Sequence, residues 1–305
     1  MSTGCHVLGR LLVVVLVAVM VISNAQDVDG TVPVDTQHDG NQDRFGIEQL
    51  FASVDESGDW YANWDGRRVV DKAFQEDPAD SRCVSRGTGP FEIGNGELVM
   101  NGTAPRFYIT APSTGWMNTE TTVYGMAEGW GPNNIASITI ISRTRHNRFR
   151  ADPCEARAYY ARVFLDNGAV QIKKEFRHDS NGTIIYSSAI PAKRRFKTFD
   201  FRSRYFGLKF VVRTNQDGLS VNLRVYCDAT DGANGGTWDL VLDYDDVDLA
   251  ALSRTGCKYP DAVDPFANDD SPILRSGETS VIRSDDVYRL HVKRASVREI
   301  NPVME

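Results

Sequence analysis

From about Pro90 onward the chain is a succession of short runs in which apolar and polar residues alternate, each closed by turn residues. No stretch carries the 3.6-residue periodicity of a long amphipathic helix; Gly46 to Phe51 has room for one helical turn or two. An alternating run has one apolar face, which must be covered by a second layer. Strand signals recur in "GELVMNG", "PRFYI", "NTETTVYGM", "ASITIISRTRH", "YFGLKFVVRT", "LSVNLRVYC", "TWDLVLDY" and "DVYRLHVKRASVREI". Roughly ten to fourteen strands are expected, the pattern of an all-β, two-sheet antiparallel β-sandwich.

Three hairpins stand out. Asn95-Gly96 separates two apolar stretches, "NQDG" at 215–218 separates two more, and Asn167-Gly168 sits inside "YYARVFLDNGAVQIKKEF", residues 159–176. Asn-Gly favours a two-residue turn. Around Asn167-Gly168 such a turn places Val163 opposite Ile172 and Arg162 opposite Lys173. Tyr159, Ala161, Val163 and Leu165 then share a core face with Val170, Ile172, Lys174 and Phe176. The other face holds Tyr160, Arg162 and Phe164 beside Gln171, Lys173 and Glu175.

Residues 1–25 read as a signal peptide: a short lead with one basic residue, the apolar run Leu11 to Ile22, and small residues at Ser23 and Ala25. The apolar run is short for a bilayer span, which wants about 20 residues. A secreted protein without membrane insertion after cleavage is expected. Polar residues 26–44 read as a disordered linker, and 45–305 as a single domain. In an exported chain Cys83, Cys154, Cys227 and Cys257 are expected to form two disulfides, with the pairing open. Asn101 and Asn181 head glycosylation sequons. In "WYANW", Trp60, Tyr61 and Trp64 are expected to pack the entry to the core.

Charge is unevenly spread. Between Arg143 and Arg213 lie 17 Lys and Arg against six Asp and Glu, a local balance of +11; the chain as a whole stands at -7, so the remainder carries -18. Strand alternation puts Arg143 and Arg145 on one face, with His146 on the other. With Arg162 and Lys173 they would line a positive trough. Arginine forks pair with carboxylates. An exported, acidic chain with no nucleic-acid module and no basic amphipathic helix argues against nucleic acid and membrane. An acidic polysaccharide is the partner expected.

The strand succession "GELVMNGTAPRFYI", "MNTETTVYGM", "YYARVFLDNGAVQIKKEF", "GLKFVVRT", "LSVNLRVYC" and "ASVREI" resembles the concanavalin A-like jelly-roll group, over about residues 85 to 300. The group includes polysaccharide lyases, glucanases and laminin-G-type binding modules. The lyase signatures R-(S/T)-E-(L/V)-R and Y-x-K-x-G-x-Y are absent, and "QIKKEF" has Lys173 where the Q-I-H strand has histidine. The resemblance implies recognition of a glycan, with β-elimination as the leading activity and non-catalytic glycan binding or glycoside hydrolysis as alternatives. In a lyase, Arg143, Arg145 and Arg162 would neutralise a uronate, His146 or Lys173 would take the C5 proton, and Tyr160, its pKa lowered by arginines, would protonate the leaving oxygen. Gln171 and Glu175 would hold substrate. No other cofactor is required, but Asp228, Asp231 and Asn234 in "CDATDGANGGTWD" offer oxygens for calcium.

Overall fold

The computed structural model describes residues 41–71, 74–259, 264 and 266–303. The expected signal peptide and residues 26–40 of the expected linker lie outside these. Residues 41–44 belong to the fold: Asp43 Oδ1 accepts the Phe45 and Ile47 amides at 2.8 and 2.9 Å, and the Arg44 guanidinium lies 4.9 Å from the Phe45 ring centroid.

Eighteen strands occur among the described residues: β1 Trp60–Tyr61, β2 Arg68–Val70, β3 Glu76–Asp77, β4 Asp80–Arg86, β5 Phe91–Gly94, β6 Glu97–Asn101, β7 Arg106–Thr110, β8 Thr119–Ala127 and β9 Ser137–Thr144 in the first half, then β10 Ala158–Phe164, β11 Val170–His178, β12 Ile184–Tyr186, β13 Ile190–Pro191, β14 Phe206–Thr214, β15 Val221–Asp228, β16 Asp239–Asp246, β17 Thr279–Asp285 and β18 Arg289–Glu299. No α-helix is present among them; the helical pieces are four 3-10 turns. Residues 46–51 form bends and an isolated bridge instead of helix.

Every pairing is antiparallel, and the strands make the two sheets of the β-sandwich expected. One runs β16-β15-β14-β8-β18-β6-β5-β2, with β1 on β18; the other runs β12-β11-β10-β9-β17-β7-β4-β3, with β13 on β11. One apolar cluster fills the space between them. Val123, Phe210, Leu223 and Val292 come from the first sheet, and Phe107, Ile140, Val163, Ile172 and Ile282 from the second. Trp60 and Trp64 join it edge to face, 6.2 Å apart, the packing role expected of them.

The two Asn-Gly pairs fold differently. Asn95 and Gly96 both take positive φ, 54° and 80°, and Gly94 pairs with Glu97 across a two-residue turn. At Asn167-Gly168 only Gly168 has positive φ. There Arg162 pairs with Gln171 and Val163 with Val170, so the register is shifted by two residues from that expected. Leu165, on the core face in either register, leaves the ladder with β11: it is buried in the core, and its amide donates to Ala136 O at 2.9 Å. The longer loop closes through Gly168 N to Phe164 O, 2.9 Å, and Ala169 N to Asn167 Oδ1, 2.8 Å. A Cβ at residue 168 would lie 2.3 Å from the Phe196 carbonyl carbon, so only glycine fits. A shift of two keeps each side chain on its face, so Val163 and Ile172 still share the core. Lys173, however, now stands opposite Tyr160.

The expectation of two disulfides is half met. Cys154 and Cys257 are bonded, pinning the long 247–278 connection beside β11. Cys83 and Cys227 are free and buried. They sit on different sheets, Cys83 opposite Ile109 and Cys227 opposite Leu208, each inside the core.

Candidate functional site

Four of the side chains expected in a trough come together. Tyr160 and Arg162 on β10, Gln171 and Lys173 on β11, Ile184 and Tyr186 on β12 and Arg283 and Asp285 on β17 line an open pocket of about 270 Å³, on the face of their sheet away from the core. Strand alternation puts them there: each lies on the opposite side from Val163, Ile172 and Ile282. Tyr186 stands edge-on to Tyr160 at 5.7 Å, and Lys173 Nζ lies 5.4 Å from the Tyr186 centroid.

The pocket is electropositive. Asp285 receives Arg162 Nη2 at 3.2 Å and Arg283 Nη2 at 2.5 Å, one carboxylate between two guanidiniums. Lys173 makes no ion pair among the described residues, and burial followed by the charge of Arg162 lowers its pKa. Pocket cations thus exceed pocket anions.

The row through Arg162 continues across the sheet. Arg162 pairs with Thr139, Thr139 with Arg283, Arg283 with Arg106 and Arg106 with Arg86. Direct partners share a face and lie about 5 Å apart. Three arginines therefore stand side by side on β17, β7 and β4. Among the described residues neither Arg86 nor Arg106 forms an ion pair; Arg86 instead lies over the Tyr108 ring at 4.8 Å. Arg86 Nε, Arg106 Nε and Arg283 Nη1 are buried donors without a protein acceptor. Arg86 and Arg106 carried no signal in sequence, because only the register brings them beside Arg283.

Several expected site residues lie elsewhere. Arg143 has φ 50°, next to a register shift between Thr279 and Val281, and this break in the strand turns its side chain inward. Its guanidinium donates to Met117 O, Ile273 O, Asn118 Oδ1 and Thr214 Oγ1, and burial pushes its pKa down to about 10. Gly277 permits this, since a Cβ there would be 2.5 Å from Thr144 N. Arg145 pairs with Glu155 and Glu278 at 3.8 and 3.5 Å, outside the pocket.

His146 begins a 3-10 turn and is buried, as is Glu175, and neither lines the pocket. The Tyr160 hydroxyl donates to Glu175 Oε2 instead of facing the pocket. Burial, and then the Glu175 charge, raise its pKa well above the usual phenol value, opposite to the lowering expected from arginines. Glu175 faces His146 and His178. Burial raises its carboxyl pKa, but the two imidazoles outweigh this and hold it below the usual range. His146 Nε2, His178 Nδ1 and Glu175 Oε1 converge within 4.8 Å of one another, the only such group of metal-ligating atoms among the described residues. In sequence His178 is not marked as a partner of His146, because their contact joins distant parts of the chain.

In the loop expected to offer oxygens for calcium, both carboxylates have protein partners. The Asp228 carboxylate accepts Tyr124 OH, Thr230 N, Thr230 Oγ1, Gly232 N and Thr237 N, so both oxygens are committed to donors. Lys293 Nζ lies 2.9 Å from Asp231 Oδ1, where a cation would compete with it. Asn234 takes φ 55° in the turn. The glycosylation candidates differ: Asn181 is exposed in a turn, whereas Asn101 Nδ2 donates to Glu92 Oε1 at 3.1 Å.

No family model matches the chain, and no curated protein sequence matches it. Solved structures do. The Ca2+/Man-bound exoplasmic/lumenal domain of VIP36 superposes with a TM-score of 0.38 at 11% identity, over 77% of this chain and 91% of that one. Metal-free lectin I-B4 from Griffonia simplicifolia gives 0.36 at 10%, over 72% and 94%. A Bacillus subtilis protein with a galectin-like fold gives 0.35 at 9%, over 78% and 90%. None of these values assigns a ligand, metal or reaction to this chain.

Proposed function

We propose that this protein is a secreted, non-catalytic glycan-binding module whose ligand is an acidic polysaccharide. The observation that carries the reading is the arginine row Arg86, Arg106, Arg283 and Arg162, which leads into a pocket holding Lys173, Gln171 and Tyr186. Like charges side by side on one sheet face repel, and Asp285 is the one carboxylate in the pocket. A ligand with an anionic group on successive sugars would offset that repulsion along the row. Tyr186 and Ile184 give a sugar ring an apolar wall, and Gln171 adds a neutral hydrogen-bonding amide. The Cys154–Cys257 disulfide suits an oxidising, extracellular setting.

Binding is favoured over β-elimination because the acid of a lyase is not presented. The Tyr160 phenol is tied to Glu175, and of the two bases expected Lys173 lines the pocket while His146 does not. Calorimetry with oligouronates and sulfated oligosaccharides tests the reading. Affinity should fall steeply with added salt. Arg162→Ala should cost about 1.5–3 kcal/mol, the scale of a charge-assisted hydrogen bond. No unsaturated uronyl chromophore should form. Binding indifferent to both salt and Arg162→Ala would show that the basic face is a solvated exterior. Appearance of the chromophore would show a lyase.

A further inference from the structure

We propose that His146, His178 and Glu175 form a binding site for one divalent transition-metal ion of the zinc class, which needs no glycan in the pocket. The donor atoms form a small triangle. His146 Nε2 and His178 Nδ1 are 2.9 Å apart, His178 Nδ1 and Glu175 Oε1 3.2 Å, and His146 Nε2 and Glu175 Oε1 3.7 Å. Tetrahedral zinc with bonds of about 2.0–2.1 Å to nitrogen and oxygen has ligand–ligand edges of about 3.3–3.4 Å. The triangle brackets that edge length.

A hydrogen-bonded network alone leaves something over. The two imidazole nitrogens share one proton between them. Both approach Glu175 Oε1, at 3.7 and 3.2 Å, as weak and poorly aligned donors, and this oxygen is fully buried. An ion at the centre of the triangle would satisfy all three atoms at once. Its binding would release the shared proton to solvent.

The surroundings hold the ligands in orientation. Tyr108 OH lies 2.5 Å from His146 Nδ1, and Tyr160 OH donates to Glu175 Oε2. With Nδ1–H donating to the Tyr108 oxygen, the lone pair of His146 Nε2 is free for a metal. Phe149 packs at a tilt against both imidazoles, its ring centroid 4.8 Å from that of His146 and 4.6 Å from that of His178. Two nitrogens and one carboxylate oxygen suit zinc, cobalt or nickel. They disfavour calcium and magnesium, which take oxygen ligands. The ion would tie the 3-10 turn after β9 to β11, next to the Cys154–Cys257 disulfide.

The test uses the folded protein stripped with chelator and dialysed against Zn2+ or Co2+. One equivalent of zinc should be retained by elemental analysis, with a higher thermal midpoint that chelator reverses. Cobalt should give the intense visible bands of a tetrahedral site. Ca2+ should produce neither effect. Glu175→Gln and His178→Gln should each weaken zinc binding more than tenfold, and Tyr108→Phe by ~10–100-fold. His291→Ala removes the surface histidine that sits between Glu97 and Glu128, and should leave the stoichiometry unchanged. The cobalt spectrum of the unmutated protein keeps the test decisive if a variant fails to fold. Absence of stoichiometric zinc and of cobalt bands would overturn the site, as would binding lost with His291→Ala or retained in His178→Gln.

Discussion

Lys174 donates through Nζ to Asp246 Oδ2 at 2.8 Å, and both side chains are completely buried between the sheets. Two backbone carbonyls, Leu249 O and Ser271 O, take other protons of the ammonium. The Tyr159 hydroxyl and the Leu249 amide satisfy the rest of the carboxylate. Removing one partner strands the other charge. Lys174→Met is therefore expected to destabilise by about 3–5 kcal/mol. Lys174→Met with Asp246→Leu should cost less than the sum of the single changes. Urea unfolding of the three variants measures this, and strict additivity would show that the pair is not coupled.

The arginine row predicts a graded response. Arg106 lies outside the pocket and touches a glycan only if the ligand runs along the row. Arg106→Ala should leave binding of a short acidic oligosaccharide unchanged and weaken that of a long one. It should also flatten the salt dependence of the long ligand. Titrations across a series of chain lengths read this out, and equal losses at every length would confine the ligand to the pocket.

Asp228 gives a pH signature. Burial raises its pKa, but hydrogen bonds from Thr230, Thr237 and Gly232 outweigh this, and the net shift is downward. A carboxylate lowered on folding adds stability above its unfolded value of about 3.9, and that contribution is lost as pH falls through the folded value. Asp228→Asn should cost about 2–3 kcal/mol at neutral pH, because the new amide meets N–H donors. The gap between the two proteins should narrow below about pH 4. Parallel denaturation curves from pH 3 to 7 would reveal a constant gap if the carboxylate charge were unimportant.

Thiol counting distinguishes the cysteines. Burial pushes the Cys83 and Cys227 thiols well up, so neither should react with a thiol reagent in the folded protein. In a chain lacking residues 1–25, two should react after unfolding and four after reduction. The Cys154–Cys257 bond spans 103 residues, and reducing it should destabilise by about 2–5 kcal/mol. Zero reactive thiols in the unfolded, unreduced chain would mean that Cys83 and Cys227 are also bonded.

The pocket face was legible in sequence because strand alternation has a period of two. Tyr160, Arg162, Gln171 and Lys173 fall on one side whichever turn joins their strands, since a register shift of two preserves the face. What the shift changed was the partner, and with it the supposed Arg162–Lys173 confrontation. Arg143 was misread for a different reason. Alternation holds only while the strand is regular, and a residue at φ 50° beside a register shift breaks it.

The apolar alternation and the turn residues by themselves determined an all-β chain, its core face and the Asn95-Gly96 hairpin. These depend on contacts between near neighbours and on local backbone preference. Tertiary structure alone decided where the charges went. Part of the local excess of +11 is paired with distant acids: Lys174 with Asp246, Lys209 with Glu120, Arg194 with Asp239, and Arg145 and Arg148 with Glu278. It also decided that Arg86 and Arg106 join Arg283, and that His146 meets His178 and Glu175. Coulomb and hydrogen-bond energies depend on distance in space, and the order of strands in a sheet, which sets that distance, is not written in any local stretch of sequence.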